Sequence, residues 1–320
     1  MNIPLTTKRL ISRFLAGADK IRWGARAVGW PATIVGSLRL ARLKLVRPAR
    51  AEVRLRQTGA TMTFNYPKQL VPALVVFGDL IDPEYAFLRE VARPDWIFLD
   101  VGAAIGQFTV FAAGCVGGWV HAFEPSPENL ATLRANIRAN GIADRVSVHA
   151  VALSDQAGEA EFTTETNPFM SHLDAGSPGG GDPVRIEPLS NFTTEMGIEH
   201  VSVLKINVAG GEPVVIEGVK PFLAGGGADV LVLLIGPQSY DAYRELEQMG
   251  YRFFFYHPRQ HQVHEVASLD DDGLIRNRPW PARHVLGIWS PALGEILGDS
   301  ITIASTVTST GRPFWGRPAI

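Results

Sequence analysis

"FLDVGAAIGQF", Phe98 to Phe108, decides how the chain reads. Its first half, apolar but for Asp100, has the composition of a strand buried on both faces, and Gly102 and Gly106 turn that strand into a helix. Glycine lets the backbone approach a ligand closely, and a helix start offers unpaired N–H groups. The spacing is D-x-G-x-x-x-G, whereas a dinucleotide pyrophosphate calls for G-x-G-x-x-G. A carboxylate set before the glycines repels phosphate but can pair with an amino group.

Outward from this stretch, strands and helices alternate from about Asp95. "WIFLDV" (96–101), "WVHAF" (119–123), "RVSVHAVAL" (145–153), residues 201–207, "DVLVLLI" (229–235), "YRFFFY" (251–256) and "HVLGIW" (284–289) read as strands. A helix is expected over 127–140, with Ser126 as N-cap, Pro127 in the first turn and Gly141 just past the end. Alternation of this kind predicts an α/β fold, a mostly parallel sheet with helices on both faces. The second strand runs into "HAFEPSP", where Glu124 stands at the position from which an acid takes ribose hydroxyls. Two acids and no phosphate receptor suit S-adenosylmethionine, a nucleoside with an ammonium group and a sulfonium.

The chain has 320 residues, 46% hydrophobic and 19% charged, which excludes a disordered or fibrous protein. Its one cysteine, Cys115, excludes an internal disulfide; among small apolar neighbours it reads as a buried structural thiol. No apolar run reaches the length of a membrane span and Arg13 interrupts the first one, so a cytoplasmic protein without a leader is expected. The net charge of −2 hides an asymmetry: residues 1–56 hold 13 Lys or Arg against two acids, leaving 17 basic and 30 acidic residues in the remainder. In the arm, Leu10, Ile11, Phe14, Leu15, Ala18 and Ile21 recur at helical spacing among basic residues. Such a helix packs on its own acidic domain, the preferred reading, or lies on an anionic membrane surface; few aromatics and no reader motif speak against nucleic acid. The expected domains are a basic arm (1–56), lead-in strands and helix (57–94), a cofactor-binding domain (95–290) and a tail (291–320).

"FLDVGAAIGQFT", "VHAFEPSPENLATLRANIRANG", "VSVHAVALSD", "LSNFTTEMGIEHVSVLKINVAGGE" and "FGDLIDPEYAFLREV" together resemble the FkbM family of S-adenosylmethionine-dependent methyltransferases, over about residues 76–256. The resemblance implies a class I methyltransferase fold, a seven-stranded sheet with one antiparallel strand, and O-methylation of a glycan, lipid or secondary metabolite. It carries Asp100, Gly102 and Gly106, with Ala103 beside them, and Glu124, with Pro125 beside it, over as cofactor contacts. Ala152 and Leu153 would border the adenine. On the acceptor side the pattern changes. Where the family reads roughly K-I-D-V-E-G-A-E, this chain reads "KINVAGGE", so Asn207 and Ala209 replace acids and Glu212 survives; Asn207 and Glu212 are the catalytic candidates. Ser190 and Asn191 stand at further acidic positions, Leu234 or Ile235 at another, and Ala104 where asparagine is usual.

Losing a carboxylate slows such an enzyme more than it abolishes it. Positioning alone contributes about 7–11 kcal/mol, and a general base about 10²–10⁴-fold. The alternative is a catalytically silent protein that keeps the fold for binding. His257, His261 and His264 with Glu265 fit no strong zinc pattern and read as a solvated loop. Phe314 and Trp315 are expected to anchor the tail.

Overall fold

The computed structural model describes residues 28–304, together with 21, 24 and 25, apart from 56–57, 80–81, 164–171, 175–181, 277 and 279–281. The amphipathic segment around residues 10–21 and the Phe314–Trp315 anchor lie outside these residues, save Ile21, which is exposed.

Helix α1 (Trp30–Val46) leads into a hairpin of β1 (Arg50–Arg54) and β2 (Thr61–Asn65), followed by α2 (Pro72–Phe77) and α3 (Pro83–Val91). Then come β3 (Ile97–Val101), α4 (Gln107–Val110) continuing into a π-helical turn at Phe111–Val116, β4 (Trp119–Phe123), α5 (Pro127–Ala139) and β5 (Val146–His149). A second, smaller sheet holds β6 (Ala152–Leu153), β7 (Gly158–Thr163), β8 (His172–Asp174) and β9 (Asp182–Glu187). The chain continues through α6 (Leu189–Met196), β10 (Val201–Ile206), α7 (Glu212–Leu223), β11 (Ala228–Leu234) and α8 (Tyr240–Gln248). It closes with β12 (Tyr251–His257), β13 (Gln262–Glu265), β14 (His284–Trp289), α9 (Leu293–Leu297) and β15 (Thr302–Ala304).

The main sheet has the order β15-β13-β12-β14-β11-β10-β3-β4-β5. From β5 to β11 all pairs are parallel, and β14 runs antiparallel between β11 and β12. This is the expected α/β architecture with its single reversed strand inside the seven-strand set. The sheet is wider than seven because β13 folds back on β12 and β15 pairs with β13. After β3 the chain builds outward through β4 and β5, then returns to build the other way through β10 and β11. The reversal between β3 and β10 opens the crevice where open α/β sheets bind ligands. Both faces are covered: Phe98, Val203 and Val230 belong to one buried cluster, Leu99, Leu204 and Leu231 to the other.

Several sequence expectations need correction. The strand expected over 145–153 breaks, because β6 leaves the main sheet to pair with β9. The boundary at 56 falls inside the β1–β2 hairpin, whose strands pair Arg50 with Asn65 and Arg54 with Thr61. That hairpin is tied to the cofactor-binding domain: the Thr63 N–H donates to Asn136 Oδ1 at 2.7 Å and the Thr61 N–H to Asn140 Oδ1 at 2.8 Å. The boundary at 290 is crossed likewise, since β15 joins the main sheet. Cys115 is exposed, because the π-helical turn ends there and places Gly114 and Cys115 on the solvent side. His257 and His264 lie on the strands of the β12–β13 hairpin, not in a solvated loop, while His261 is exposed in its turn; Glu265 forms a two-point ion pair with Arg252 and His261 pairs with Glu90.

Candidate functional site

The turn after β3 takes the backbone that its glycines allow. Gly102 and Gly106 have φ of 75° and 87°, and a Cβ on Gly102 would lie 2.0 Å from the Asn207 carbonyl oxygen. That approach brings the ends of β3 and β10 together, with the Asn207 N–H donating to Val101 O at 3.1 Å. The N–H groups of Gly102 and buried Ala103 both donate to Phe123 O at 3.0 Å, which ties the turn to the end of β4. Ala104 is also left-handed, with φ of 50°, a conformation that costs a residue with a Cβ about 1–2 kcal/mol. What holds it there is Glu124, whose Oε2 accepts the Ala104 N–H at 2.8 Å.

Glu124 is buried, and its other oxygen accepts the Ser126 N–H at 2.9 Å and Asn129 Nδ2 at 3.3 Å. Burial pushes its carboxyl pKa up, and the three donors and Lys205 only partly oppose that. Pro125 beside it is half-buried, and Ser126 caps α5 as expected, accepting the Asn129 N–H. Asp100 does not present its carboxylate to the crevice. It is wholly buried, with Oδ1 on Lys205 Nζ at 2.8 Å and Oδ2 accepting from Thr109 Oγ1 at 2.6 Å. Lys205 faces Asp100 across the parallel β3–β10 pair and also donates to Gly102 O at 2.8 Å. Asp100, expected at the cofactor, is placed by the structure on Lys205 and Thr109, where the acid fixes a lysine that fixes the turn. Ala152 and Leu153 are both buried, Leu153 in the cluster that includes Phe192 and Ile216 and Ala152 with Val184 and Ile186.

On the other side of the crevice, Asn207 and Ala209 are half-buried at the end of β10. Glu212 is fully buried at the start of α7, and its two oxygens each accept a backbone N–H, from Val208 and Gly210, at 3.0 Å. Expected as a catalytic residue, it is placed by the structure with both oxygens on N–H groups of the loop that carries Asn207, which it closes. Ser190 is half-buried and Asn191 exposed on α6, while Leu234 and Ile235 are half-buried at the end of β11.

The charge absent from β10 comes from elsewhere. Asn207 Nδ2 lies 3.1 Å from His284 Nε2, and His284 Nδ1 lies 2.6 Å from Glu84 Oε1. With the amide donating to Nε2, the imidazole proton sits on Nδ1 and is donated to Glu84. His284 opens β14, and because that strand is antiparallel its first residue stands at the carboxyl ends of β10 and β11. Glu84 comes from the first turn of α3; it is 2% exposed, and its Oε2 has no hydrogen-bond partner among the described residues. Next to them, Arg283 binds both oxygens of buried Asp82. Burial would raise the Asp82 carboxyl, but the guanidinium outweighs it and holds the carboxyl below the usual range. Neither His284 nor Glu84 stands out in the sequence, since nothing local marks either; the one available signal was a histidine opening the strand that the fold reverses.

The crevice therefore offers backbone N–H groups and a carboxylate on one side, and a neutral amide backed by an imidazole–carboxylate pair on the other. Lys205, the lysine beside the turn, is committed to Asp100, so the residues present suit a nucleoside with hydroxyls better than a pyrophosphate.

Comparison with known proteins agrees with this geometry. The profile described as methyltransferase FkbM domain matches residues 100–253. The 31-O-demethyl-FK506 methyltransferase FkbM of Streptomyces tacrolimicus is 32% identical over 160 residues, covering 40% of this chain and 61% of that protein. A tRNA (guanine(37)-N(1))-methyltransferase of Puccinia graminis f. sp. tritici is 28% identical over 96 residues, 30% of this chain and 18% of that one. The chain thus spans less than two thirds of the length of either curated relative. Among solved structures, TYW2 of Pyrococcus horikoshii in complex with MeSAdo shares 14% identity over 80% of this chain and 83% of its own, with a TM-score of 0.41. Neither that likeness nor the one to a putative transferase of the same organism, at a TM-score of 0.40, 15% identity and coverage of 75% and 70%, is close enough to carry the argument. The residues that shape the crevice from Asp100 to Glu212 fall within the match, so the crevice lies in the part of the chain that is similar to the FkbM methyltransferase domain.

Proposed function

We propose that the protein is an S-adenosylmethionine-dependent methyltransferase acting on a hydroxyl of a glycan, lipid or secondary metabolite, with His284 as the base. The observation that carries this reading is the line Asn207–His284–Glu84 across the crevice from the glycine turn. S-adenosylmethionine, when bound, supplies a methyl group on a cationic sulfur. Glu124 takes a ribose hydroxyl with its remaining acceptor capacity, since three donors occupy a carboxylate with about four lone-pair sites. Gly102 lets the ends of β3 and β10 meet, Gly106 makes room for Leu133 of α5, and Asp100 with Lys205 holds the turn rigid.

An alcohol needs its proton removed as its oxygen is methylated. In this arrangement the acceptor hydroxyl replaces the Asn207 amide at His284 Nε2 and leaves its proton there. Glu84 meets the resulting imidazolium at Nδ1, and the freed Asn207 N–H turns to the acceptor oxygen. Glu212 acts as a positioning residue, holding the loop that aims Asn207. The Streptomyces relative, whose name states an O-demethyl substrate, supports an oxygen acceptor.

The test is calorimetric titration with S-adenosylmethionine and S-adenosylhomocysteine, followed by transfer of a labelled methyl to a panel of hydroxyl compounds. Binding with transfer is expected. No binding would contradict the reading, and binding without transfer to any hydroxyl would favour a silent binding protein.

A further inference from the structure

Helix α1 has two apolar faces, and only one is covered. On the inner face Thr33 and Gly36 are buried, and a Cβ on Gly36 would lie 2.0 Å from the Val76 carbonyl oxygen of α2. That approach fixes the rotation of the helix. On the outer face Trp30, Ile34, Leu38 and Leu45 are 56%, 56%, 66% and 84% exposed. With Ala41, also exposed, they fall at i, i+4, i+8, i+11 and i+15, which at 3.6 residues per turn is one narrow stripe. At about 1.5 Å per residue it runs roughly 22 Å along the surface. Arg42 borders it on one side and Lys44 on the other, and among the described residues no carboxylate pairs with either of them.

We infer that this face of α1 docks the protein on an anionic lipid bilayer, the helix lying in the plane of the interface. An apolar stripe with basic flanks suits acyl chains beneath anionic headgroups. The rest of the molecule orients the contact: residues 1–56 contribute 13 basic and two acidic groups, the remainder 17 and 30, so only the arm is drawn to negative charge. A second copy of α1 fits less well, because pairing the stripes would bring two sets of basic residues together. The preceding segment carries Lys8, Arg9, Arg13 and Lys20 and would meet the same repulsion. No helix among the described residues is long and apolar enough to cross a membrane, so the contact is peripheral.

The experiment is flotation of the full chain with phosphatidylcholine–phosphatidylglycerol vesicles, with phosphatidylcholine vesicles as control. The protein is expected to float with the anionic vesicles and to be released as salt rises. Ile34→Glu with Leu38→Glu should weaken binding by about tenfold or more, since both side chains lose their apolar contact. Arg42→Gln with Lys44→Gln should do so by about tenfold on anionic vesicles alone. All four residues lie far from the crevice in sequence, so S-adenosylhomocysteine binding should be unchanged, which separates loss of docking from loss of fold; Leu38→Gln is the milder variant should the double change unfold. Absence of binding at low salt would overturn the inference, as would binding undiminished in the Ile34/Leu38 variant. So would a concentration-dependent dimer abolished by that variant, which would make a second copy the occupant.

Discussion

The two sides of the crevice are built on different plans. On the cofactor side, Asp100, Gly102, Gly106 and Glu124 come from two consecutive strands and their turns, and every charged group is internally satisfied: Asp100 by Lys205 and Thr109, Glu124 by three donors. On the acceptor side the strand end is neutral, and its charge is assembled from a helix and a reversed strand 200 residues apart in sequence. The first plan makes a rigid receptor. The second leaves a buried carboxylate oxygen without a partner, a group with capacity to stabilise a positive charge that forms beside it. The difference teaches where chemistry is to be expected: where polarity is incompletely satisfied, not where most acids are counted.

The largest expected effect breaks the acceptor side alone. Glu84→Gln or His284→Gln should lower kcat for methyl transfer to a hydroxyl acceptor by about 10²–10⁴-fold, while calorimetry shows cofactor affinity nearly unchanged. Equal losses of affinity and rate would show that the two sides are not separate. Next, Glu124→Ala should weaken S-adenosylmethionine binding by about 1.5–3 kcal/mol, roughly ten- to a hundredfold, if charged hydrogen bonds are lost.

The same carboxylate gives a pH dependence. Burial raises the Glu124 pKa, so it takes up a proton above the ordinary value of about 4.3. Cofactor affinity should fall as pH drops through that raised value, and Glu124→Gln should flatten the titration. A contrast lies at the outer edge of the sheet, where burial, together with His121, holds the His149 imidazole down to about 4. There the folded pKa lies below the unfolded value of about 6.5, so the unfolded chain gains the proton first. Stability should rise with pH from about 4 to 6.5 and be lost as pH falls, and His149→Phe should lessen that slope in thermal melts. The smallest effect belongs to Ala104. Ala104→Gly removes a left-handed residue with a Cβ and should raise stability by up to about 1 kcal/mol, less whatever entropy glycine adds to the unfolded chain.

How much of this was legible follows the same division. The turn after β3, Glu124, the caps of α5 and the parallel order of the sheet are local or periodic patterns, and the sequence shows them. Asp100 was visible, but its orientation was not, because its partner Lys205 faces it only through strand pairing. Glu84 and His284 were hidden by distance along the chain. The widening of the sheet by β13 and β15 leaves no clear sequence signal, because both strands are short. The outer stripe of α1 is hidden for a different reason: its inner face holds apolar residues too, so apolar residues alone do not tell the outward face from the inward one.

The proposed base, His284, holds its proton on Nδ1 against Glu84 and takes the proton of the acceptor hydroxyl at Nε2 once the Asn207 amide is displaced. Nitrogen-15 NMR of the labelled imidazole reports this without knowledge of the acceptor. At neutral pH an His284 signal of the Nδ1–H tautomer is expected, lost or redistributed in Glu84→Gln. A proton fixed on Nε2, or a signal indifferent to Glu84→Gln, would contradict it.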